Sequence, residues 1–333
     1  MDDAQRETLR TYLSERAGGD VAITRMEPLT GGAVQENWRL DITVDGGPWP
    51  GEHALVLKKD APNAIATSRG RAEEYRLLKW ADGAGVTVPR PCMLCEDPSV
   101  IGAPFFVMHL VEGEAAGHKL ARRPDDDELA AALGVNLARI HAIQPPADQA
   151  AFLGAPPQDP ARSAIATYRR DLDALPDAHP AIEWGLAWLE RNAPTLGEAV
   201  LCHRDYRTGN YMVGDDGVLT GILDWEFAGW SDPLEDIGWF MAACWRFGAR
   251  DREAGGIGAR EAFYDGYEKE SGRSIARERV GYWEVMAHVR WAVIALQQAD
   301  RFVTGGTANL EWALTAHVVP ELELEILNMT EPG

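Results

Sequence analysis

His203-Arg204-Asp205-Tyr206-Arg207-Thr208-Gly209-Asn210 is the stretch on which the reading of this chain turns. It follows the pattern H-R-D-x-x-x-x-N, an acid followed five residues on by an amide. Fourteen residues past Asn210 stands a second acid, Asp224, in Ile222-Leu223-Asp224-Trp225-Glu226. An Asp before an Asn is weak evidence alone, since both residues favour turns. The weight comes from what surrounds them in order.

Working upstream, Ala54-Leu55-Val56-Leu57 reads as a buried strand ending at Lys58-Lys59. Strand faces alternate, so only one of the two lysines points inward, and Lys58 is favoured over Lys59. A helix is expected from about Ser68 to Asp82, with Glu74, Leu77, Leu78 and Ala81 on one face. A carboxylate on an apolar face needs a cationic partner. Lys58 is the candidate, and Glu73 is the rival of Glu74. Before these come a helix from Asp3 to Arg16, stopped by Gly18-Gly19, and a turn at Pro28-Leu29-Thr30-Gly31-Gly32. Val34, Trp38, Leu40, Ile42 and Val44 then alternate with mainly polar neighbours, as in a half-buried strand. Strand-like runs at Pro91 to Cys95 and Phe105 to Val111 complete a small sheet with one main helix.

Beyond residue 110 the pattern turns helical. Leu129, Leu133, Leu137 and Ile140 line one helix face, and further helices are expected near 161–174, 181–192 and 278–302. Short strand-like segments flank the opening stretch at Ala199–Cys202 and Tyr211–Val213, and Leu219–Leu223 leads into Asp224. The expected architecture is α+β in two lobes. Residues 1–110 form a small antiparallel-sheet lobe that binds nucleotide, and residues 111–333 form a larger, mainly helical lobe for catalysis and substrate.

A chain of 333 residues with 25% charged and 46% hydrophobic residues can bury a real core. Its net charge of −20 argues against the phosphate backbone of nucleic acid as a partner and mildly favours a neutral or cationic substrate. No apolar run reaches the ~18 residues of a membrane span, the best candidates being broken by His109 and Arg290. The start of the chain is acidic and has no apolar signal core, and the four cysteines form no disulfide framework. A cytoplasmic location is expected. Cys92 and Cys95 make a lone C-x-x-C without a second pair of zinc ligands. Seven of the twelve tryptophans lie between Trp225 and Trp312, which reads first as core and second as a site for a cation held over aromatic rings.

These pieces fit one chemistry. Phosphoryl transfer from a nucleotide needs a group that orients or deprotonates the acceptor hydroxyl, and oxygens that hold Mg²⁺ against the phosphates. Asp205 suits the first task, and Asn210 with Asp224 the second. Lys58, oriented by Glu74, suits the phosphates. Gly31 and Gly32 could let the backbone approach phosphate closely, and Arg207 could stabilise charge on the moving group. His203 more naturally holds the loop by hydrogen bonds than performs chemistry.

The same residues carry a resemblance. The chain resembles the aminoglycoside phosphotransferase and choline kinase group of small-molecule kinases. It does so from Leu29-Thr30-Gly31-Gly32 through Val56-Leu57-Lys58, Glu74-Tyr75-Arg76-Leu77-Leu78 and Phe106-Val107-Met108 to the opening stretch. Asp224-Trp225-Glu226-Phe227-Ala228 followed by Asp232-Pro233-Leu234-Glu235-Asp236 resembles the branch of kinase domains fused to acyl-CoA dehydrogenases, where hydroxyacyl compounds are substrates. The resemblance implies a protein-kinase-like fold and transfer of the γ-phosphate of ATP, with GTP open, to a hydroxyl of a small metabolite or antibiotic. It implies Asp205 as the catalytic Asp, Asn210 and Asp224 as Mg²⁺ ligands, and Lys58 with Glu74 as the phosphate-side pair. Adenine is expected against Met108 to Leu110, and Asp236 is expected to brace the catalytic loop. Three features depart from the pattern. Arg204 stands where the group usually has Gly, the full G-x-G-x-x-G loop is missing, and there is no room after Asp224 for an activation segment. The last favours a small molecule over a protein as acceptor. The alternative is a pseudokinase that binds nucleotide without turnover.

Overall fold

The computed structural model describes residues 1–29, 35–60, 68–194, 199–305 and 310–331. Gly31 and Gly32, expected to approach phosphate, lie outside the described residues. In chain order the elements are α1 (Asp3–Ala17), β1 (Asp20–Pro28), β2 (Gln35–Asp45), β3 (Gly51–Asp60), α2 (Arg71–Gly83), β4 (Pro91–Cys95) and β5 (Phe105–His109). Next come α3 (Gly117–Leu120), α4 (Asp127–His141), α5 (Pro160–Asp173), α6 (Pro180–Arg191), β6 (Val200–Cys202), β7 (Tyr211–Val213) and β8 (Leu219–Ile222). The chain continues with β9 (Gly229–Ser231), α7 (Pro233–Met241), α8 (Arg260–Ser271), α9 (Arg277–Val303), α10 (Leu310–Leu314) and α11 (Val319–Thr330). No helix among the described residues is long and apolar enough to cross a membrane.

The chain packs as two compact units, Met1–Gly113 with Tyr211–Phe227, and Glu114–Asn210 with Ala228–Gly333. In the first unit a five-stranded antiparallel sheet runs in the order β1-β2-β3-β5-β4. Leu40, Ile42 and Val44 of β2 are buried, as their alternation predicts, against Leu9 and Leu13 of α1 and Leu55 and Leu57 of β3. Asp2 and Gln5 close a capping box at the start of α1, and Gly18 ends it at φ +67°. The β7–β8 hairpin belongs to this unit. Ile222 N–H donates to Thr87 O at 2.7 Å and Thr220 Oγ1 to Glu112 O at 2.9 Å.

Two boundaries differ from expectation. Helix α2 begins at Arg71 rather than Ser68, because the Ser68 hydroxyl bonds the Glu226 carboxylate and the Arg69 N–H donates to Glu226 O. Strand β5 stops at His109, beyond which the Leu110 N–H donates to Ala54 O.

In the second unit α4 and α8 pack closely along their length. The approach is possible because Gly134 and Gly266 face the partner backbone: a Cβ at Gly134 would lie 2.1 Å from Phe263 O, and one at Gly266 would lie 2.1 Å from Ala131 O. Helix α9 is buried along much of its length and packs against α7 and α11. These helices hold β6, β9 and the 203–210 stretch between β6 and β7.

Candidate active site

On the first unit, the sheet and α2 bring Lys58 and Glu74 together. Lys58 is 3% exposed, and its Nζ donates to Glu74 Oε1 at 2.6 Å and to Asp224 Oδ1 at 3.2 Å. Burial works against the ammonium charge, but the two carboxylates outweigh it and raise the Lys58 pKa. Lys59, on the opposite strand face, pairs with Glu36 at 2.9 Å. Glu73 pairs with Arg69 at 3.9 Å, so the strand alternation behind Lys58 and the apolar helix face behind Glu74 both match the packing. The second oxygen of Glu74 is held by buried Arg71, which also bonds Asp60 at 2.8 Å. Arg71 is a member of this array that sequence reasoning missed. Its signal was available, since Arg71 and Glu74 are spaced i, i+3 on one helix.

Asp224 follows β8 with φ +57°, a conformation that Asp tolerates better than most residues. Its side chain is 46% exposed, with one oxygen on Lys58. Glu226 is buried beside it, and burial, against the Ser68 hydrogen bond, raises its carboxyl pKa. Met108 lies in β5 opposite Val56. Both Met108 and Leu110 are half-buried.

On the second unit, the Asp205 carboxylate is gripped from three directions. Arg207 Nε and Trp239 Nε1 donate to Oδ1 at 3.2 and 3.0 Å, and Asn210 Nδ2 donates to Oδ2 at 2.5 Å. Asn210 Nδ2 also donates to Asp205 O at 2.9 Å. With its nitrogen spent on Asp205, the Asn210 side chain has its oxygen left for a cation. Trp239 is the second residue that sequence reasoning missed. It lies one turn beyond Asp236 on α7, so the spacing was legible but its target was not.

The loop that carries Asp205 is braced from below by Asp236, which is fully buried. Asp236 Oδ1 accepts from Arg204 N–H at 2.7 Å, and Oδ2 accepts from His203 N–H at 2.7 Å and from His141 Nε2 at 3.1 Å. Burial alone would push this carboxyl up, but the bonds and charge from His141 and His203 outweigh it, and the net shift is downward. Within the loop, His203 Nδ1 accepts from Asp205 N–H at 3.3 Å. Arg204 has φ +61°, the left-handed region that favours glycine. A non-glycine is held there by the Asp236 bond to its N–H and by its side chain, whose Nε meets Glu235 Oε1 at 3.3 Å.

Among the described residues His141, Cys202 and Asp236 place ligand-type atoms within 4.8 Å of one another. They already satisfy protein partners. Both His141 nitrogens are bonded, to Asp236 and to Tyr267 OH, and the Cys202 thiol, pushed well up by burial, lies 3.5 Å from Asp232 O. The cluster is a structural brace. The C-x-x-C thiols, Cys92 and Cys95, are both free.

The sequence model of the phosphotransferase enzyme family (APH) matches residues 25–273. The chain belongs to this family. Among curated proteins it is 28% identical over 200 residues to acyl-CoA dehydrogenase family member 10 of Mus musculus, covering 58% of this chain and 18% of that protein. It is 25% identical over 292 residues to acyl-CoA dehydrogenase family member 11 of Pongo abelii, covering 82% of this chain and 37% of that protein. The chain therefore spans well under half the length of these relatives. Among solved structures, a Ralstonia eutropha protein provisionally assigned as an aminoglycoside phosphotransferase aligns with TM-score 0.74 at 21% identity, covering 98% of each chain. Spectinomycin phosphotransferase, solved with ADP and spectinomycin, aligns with TM-score 0.61 at 13% identity over 97% of this chain and 98% of its own. Aminoglycoside 2′-phosphotransferase-IIIa, solved with GDP, gives TM-score 0.63 at 15% identity over 97% and 99%. At these identities the likeness fixes the fold, and the α+β, protein-kinase-like organisation expected from the sequence is the one found.

Proposed function

We propose that this protein is an Mg²⁺-dependent small-molecule kinase that transfers the γ-phosphate of ATP to an alcohol. The observation that carries the reading is the threefold grip on the Asp205 carboxylate by Arg207, Trp239 and Asn210, in a member of a phosphotransferase family. A carboxylate fixed so firmly is suited to position an acceptor hydroxyl, which a loose phosphoryl-transfer transition state needs more than it needs basicity. In this reading the hydroxyl oxygen bonds to the γ-phosphorus, the bond from that phosphorus to the β,γ-bridging oxygen breaks, and ADP leaves. The hydroxyl proton passes to Asp205.

Lys58, held by Glu74, is assigned to the nucleotide phosphates, and Arg207 to charge on the transferring group. The Asn210 amide oxygen and the Asp224 carboxylate are hard oxygen donors that suit Mg²⁺. The bound metal would neutralise phosphate charge. Met108 and Leu110 are assigned to the adenine side, and Gly31 and Gly32 to phosphate approach. ATP is favoured, with GTP open because the solved neighbours include both an ADP and a GDP complex. A small acceptor is favoured because only seven residues lie between Asp224 and Asp232 at the head of α7, too few for the platform that presents protein substrates. The division of labour between residues 1–110 and 111–333, and a cytoplasmic setting, belong to the same proposal.

The test is Asp205→Asn. ADP release with acceptor should fall by about 10²–10⁴-fold, while the melting shift produced by Mg²⁺–ADP survives. Undiminished turnover in the variant would refute the assignment. A melting shift without turnover in the parent protein would favour the non-catalytic alternative.

A further inference from the structure

Asp224 sits in the first unit with a backbone that needs outside support. Its φ of +57° lies in the left-handed region, which is costly for a residue with a Cβ, so the surrounding structure has to hold it there. Before it comes β8, whose Ile222 N–H is tied to Thr87 O. After it the chain runs straight into a single 3₁₀ turn, Trp225–Phe227, with Glu226 at its centre.

Glu226 is engaged twice, both times by the lead-in to α2. Its main-chain carbonyl accepts from Arg69 N–H at 2.9 Å, and its Oε2 accepts from the Ser68 hydroxyl. Glu226 is buried and Ser68 half-buried, so the side-chain bond is largely shielded from water and stronger for it. The N-cap of α2 is Gly70, which offers no side-chain cap. The start of the helix is anchored instead by Glu226 and by Arg71, which bonds Asp60 at the end of β3 at 2.8 Å. The same helix carries Glu74, which holds Lys58, and Lys58 reaches back to Asp224 Oδ1 at 3.2 Å. A closed circuit results. Asp224 leads to Glu226 along the chain, Glu226 to Ser68 and through α2 to Glu74, and Glu74 through Lys58 to Asp224 again. The Ser68–Glu226 link is the part of this circuit to which phosphoryl transfer itself assigns no work.

We propose that Glu226 is a positioning residue: through Ser68 it fastens the turn after Asp224 to the start of α2, and so sets the Asp224 carboxylate for Mg²⁺. This rests on the kinase reading above and deepens its metal site. Glu226 serves here as a hydrogen-bond acceptor for Ser68 and not as a ligand of the ion. The two roles differ in what they demand. An acceptor needs an oxygen but no charge, whereas a ligand of Mg²⁺ is much weakened when its charge is removed.

The experiment titrates Mg²⁺ at fixed ADP and follows the melting temperature of the parent, Ser68→Ala, Glu226→Leu, the double variant, Glu226→Gln and Ser68→Thr. Each shift is taken from the variant's own ligand-free value. In Ser68→Ala and in Glu226→Leu the Mg²⁺ midpoint should rise by about 10–100-fold, as it does when support behind a metal ligand is lost. Saturating Mg²⁺ should restore the parent's shift in both. The double variant should lie within about threefold of the poorer single variant, because both changes remove one bond. Glu226→Gln keeps an oxygen for Ser68 and Ser68→Thr keeps the hydroxyl, so both should stay within about threefold of the parent. Hydrogen exchange of the ligand-free protein gives a metal-free readout. Ser68→Ala should speed exchange at 223–228, and Glu226→Leu at 69–74.

Melting temperatures that fall with unmoved Mg²⁺ midpoints would make the bond merely structural and overturn the inference. So would a Glu226→Gln variant as impaired as Glu226→Leu beside an unimpaired Ser68→Ala, since that pattern belongs to a metal ligand. The Arg69 bond to the Glu226 carbonyl does not depend on either side chain. Ser68→Ala, a small truncation, decides the matter should Glu226→Leu fold poorly. A parent that gives no Mg²⁺-dependent shift with ADP strikes the kinase reading itself, and the role of Glu226 falls with it. A parent that titrates normally, with variants that match it, sinks the positioning role alone.

Discussion

Asp236→Asn is the most informative single perturbation, because one buried carboxylate satisfies three donors that set the loop carrying Asp205. The native carboxylate accepts from Arg204 N–H, His203 N–H and His141 Nε2. An amide can present only one acceptor oxygen. If its nitrogen faces Arg204, that N–H is orphaned. If its nitrogen faces His203, the His203 N–H is orphaned, although His141 could accept. At least one buried N–H is therefore left without a partner, costing about 1–3 kcal/mol. The surviving bonds also lose their charge assistance, about 1 kcal/mol each, giving roughly 2–5 kcal/mol in all. At an m-value of roughly 3 kcal/mol/M the urea midpoint at pH 7 should fall by about 1 M.

The pH dependence adds a second readout. The Asp236 carboxyl is held below its unfolded value. Its contribution is therefore complete above about pH 4 and is lost as pH falls through the lower folded pKa. The asparagine variant should lack this acid-side loss, so the two urea midpoints should converge as pH is lowered from 4. A penalty below about 1 kcal/mol at pH 7, or a gap that widens in acid, would refute the bracing role.

Other outcomes follow from the same packing. His288, fully buried on α9, has its pKa lowered to about 4, chiefly by burial, with Nδ1 donating to Glu284 O. The unfolded chain binds this proton near pH 6.5 and the native chain does not, so stability falls between about pH 6.5 and 4, by up to about 3 kcal/mol. His288→Leu should flatten that limb in melts taken across the range, and an unchanged limb would count against it. At Arg204, φ +61° makes glycine the natural occupant. Arg204→Val should be about 1–2 kcal/mol less stable than Arg204→Gly in paired urea titrations. A Cβ at Gly266 meets Ala131 O at 2.1 Å, so Gly266→Ala should cost about 2 kcal/mol or more despite its better helix propensity, as a lowered melting temperature would report.

Much of the site was legible before any coordinates. The apolar run ending at Lys58 named a buried strand, and period two separated Lys58 from Lys59. Period 3.6 put Glu74 among Leu77, Leu78 and Ala81, all of which are buried. The spacing of Asp205, Asn210 and Asp224 pointed to phosphoryl transfer because metal and hydroxyl chemistry restricts which side chains can serve. Less legible were the partners that fix these groups. Arg71 was within reach of a spacing argument, but Trp239 donates to Asp205 across 34 residues of chain. The start of α2 was misplaced because Ser68, a good cap by type, is diverted to Glu226 by a contact 158 residues away.

The sequence by itself determined the elements, their order and the identity of the polar groups, since these follow from local periodicity, turn chemistry and residue type. Tertiary structure alone decided that the 211–227 hairpin packs with the N-terminal sheet, which brings Asp224 to Lys58. It alone decided that Arg207 and Arg290 occupy indole faces beside Asp205. The physical reason is one of range. A propensity acts over a few residues, whereas a buried charge is satisfied by whichever partner the packed chain delivers, however distant in sequence.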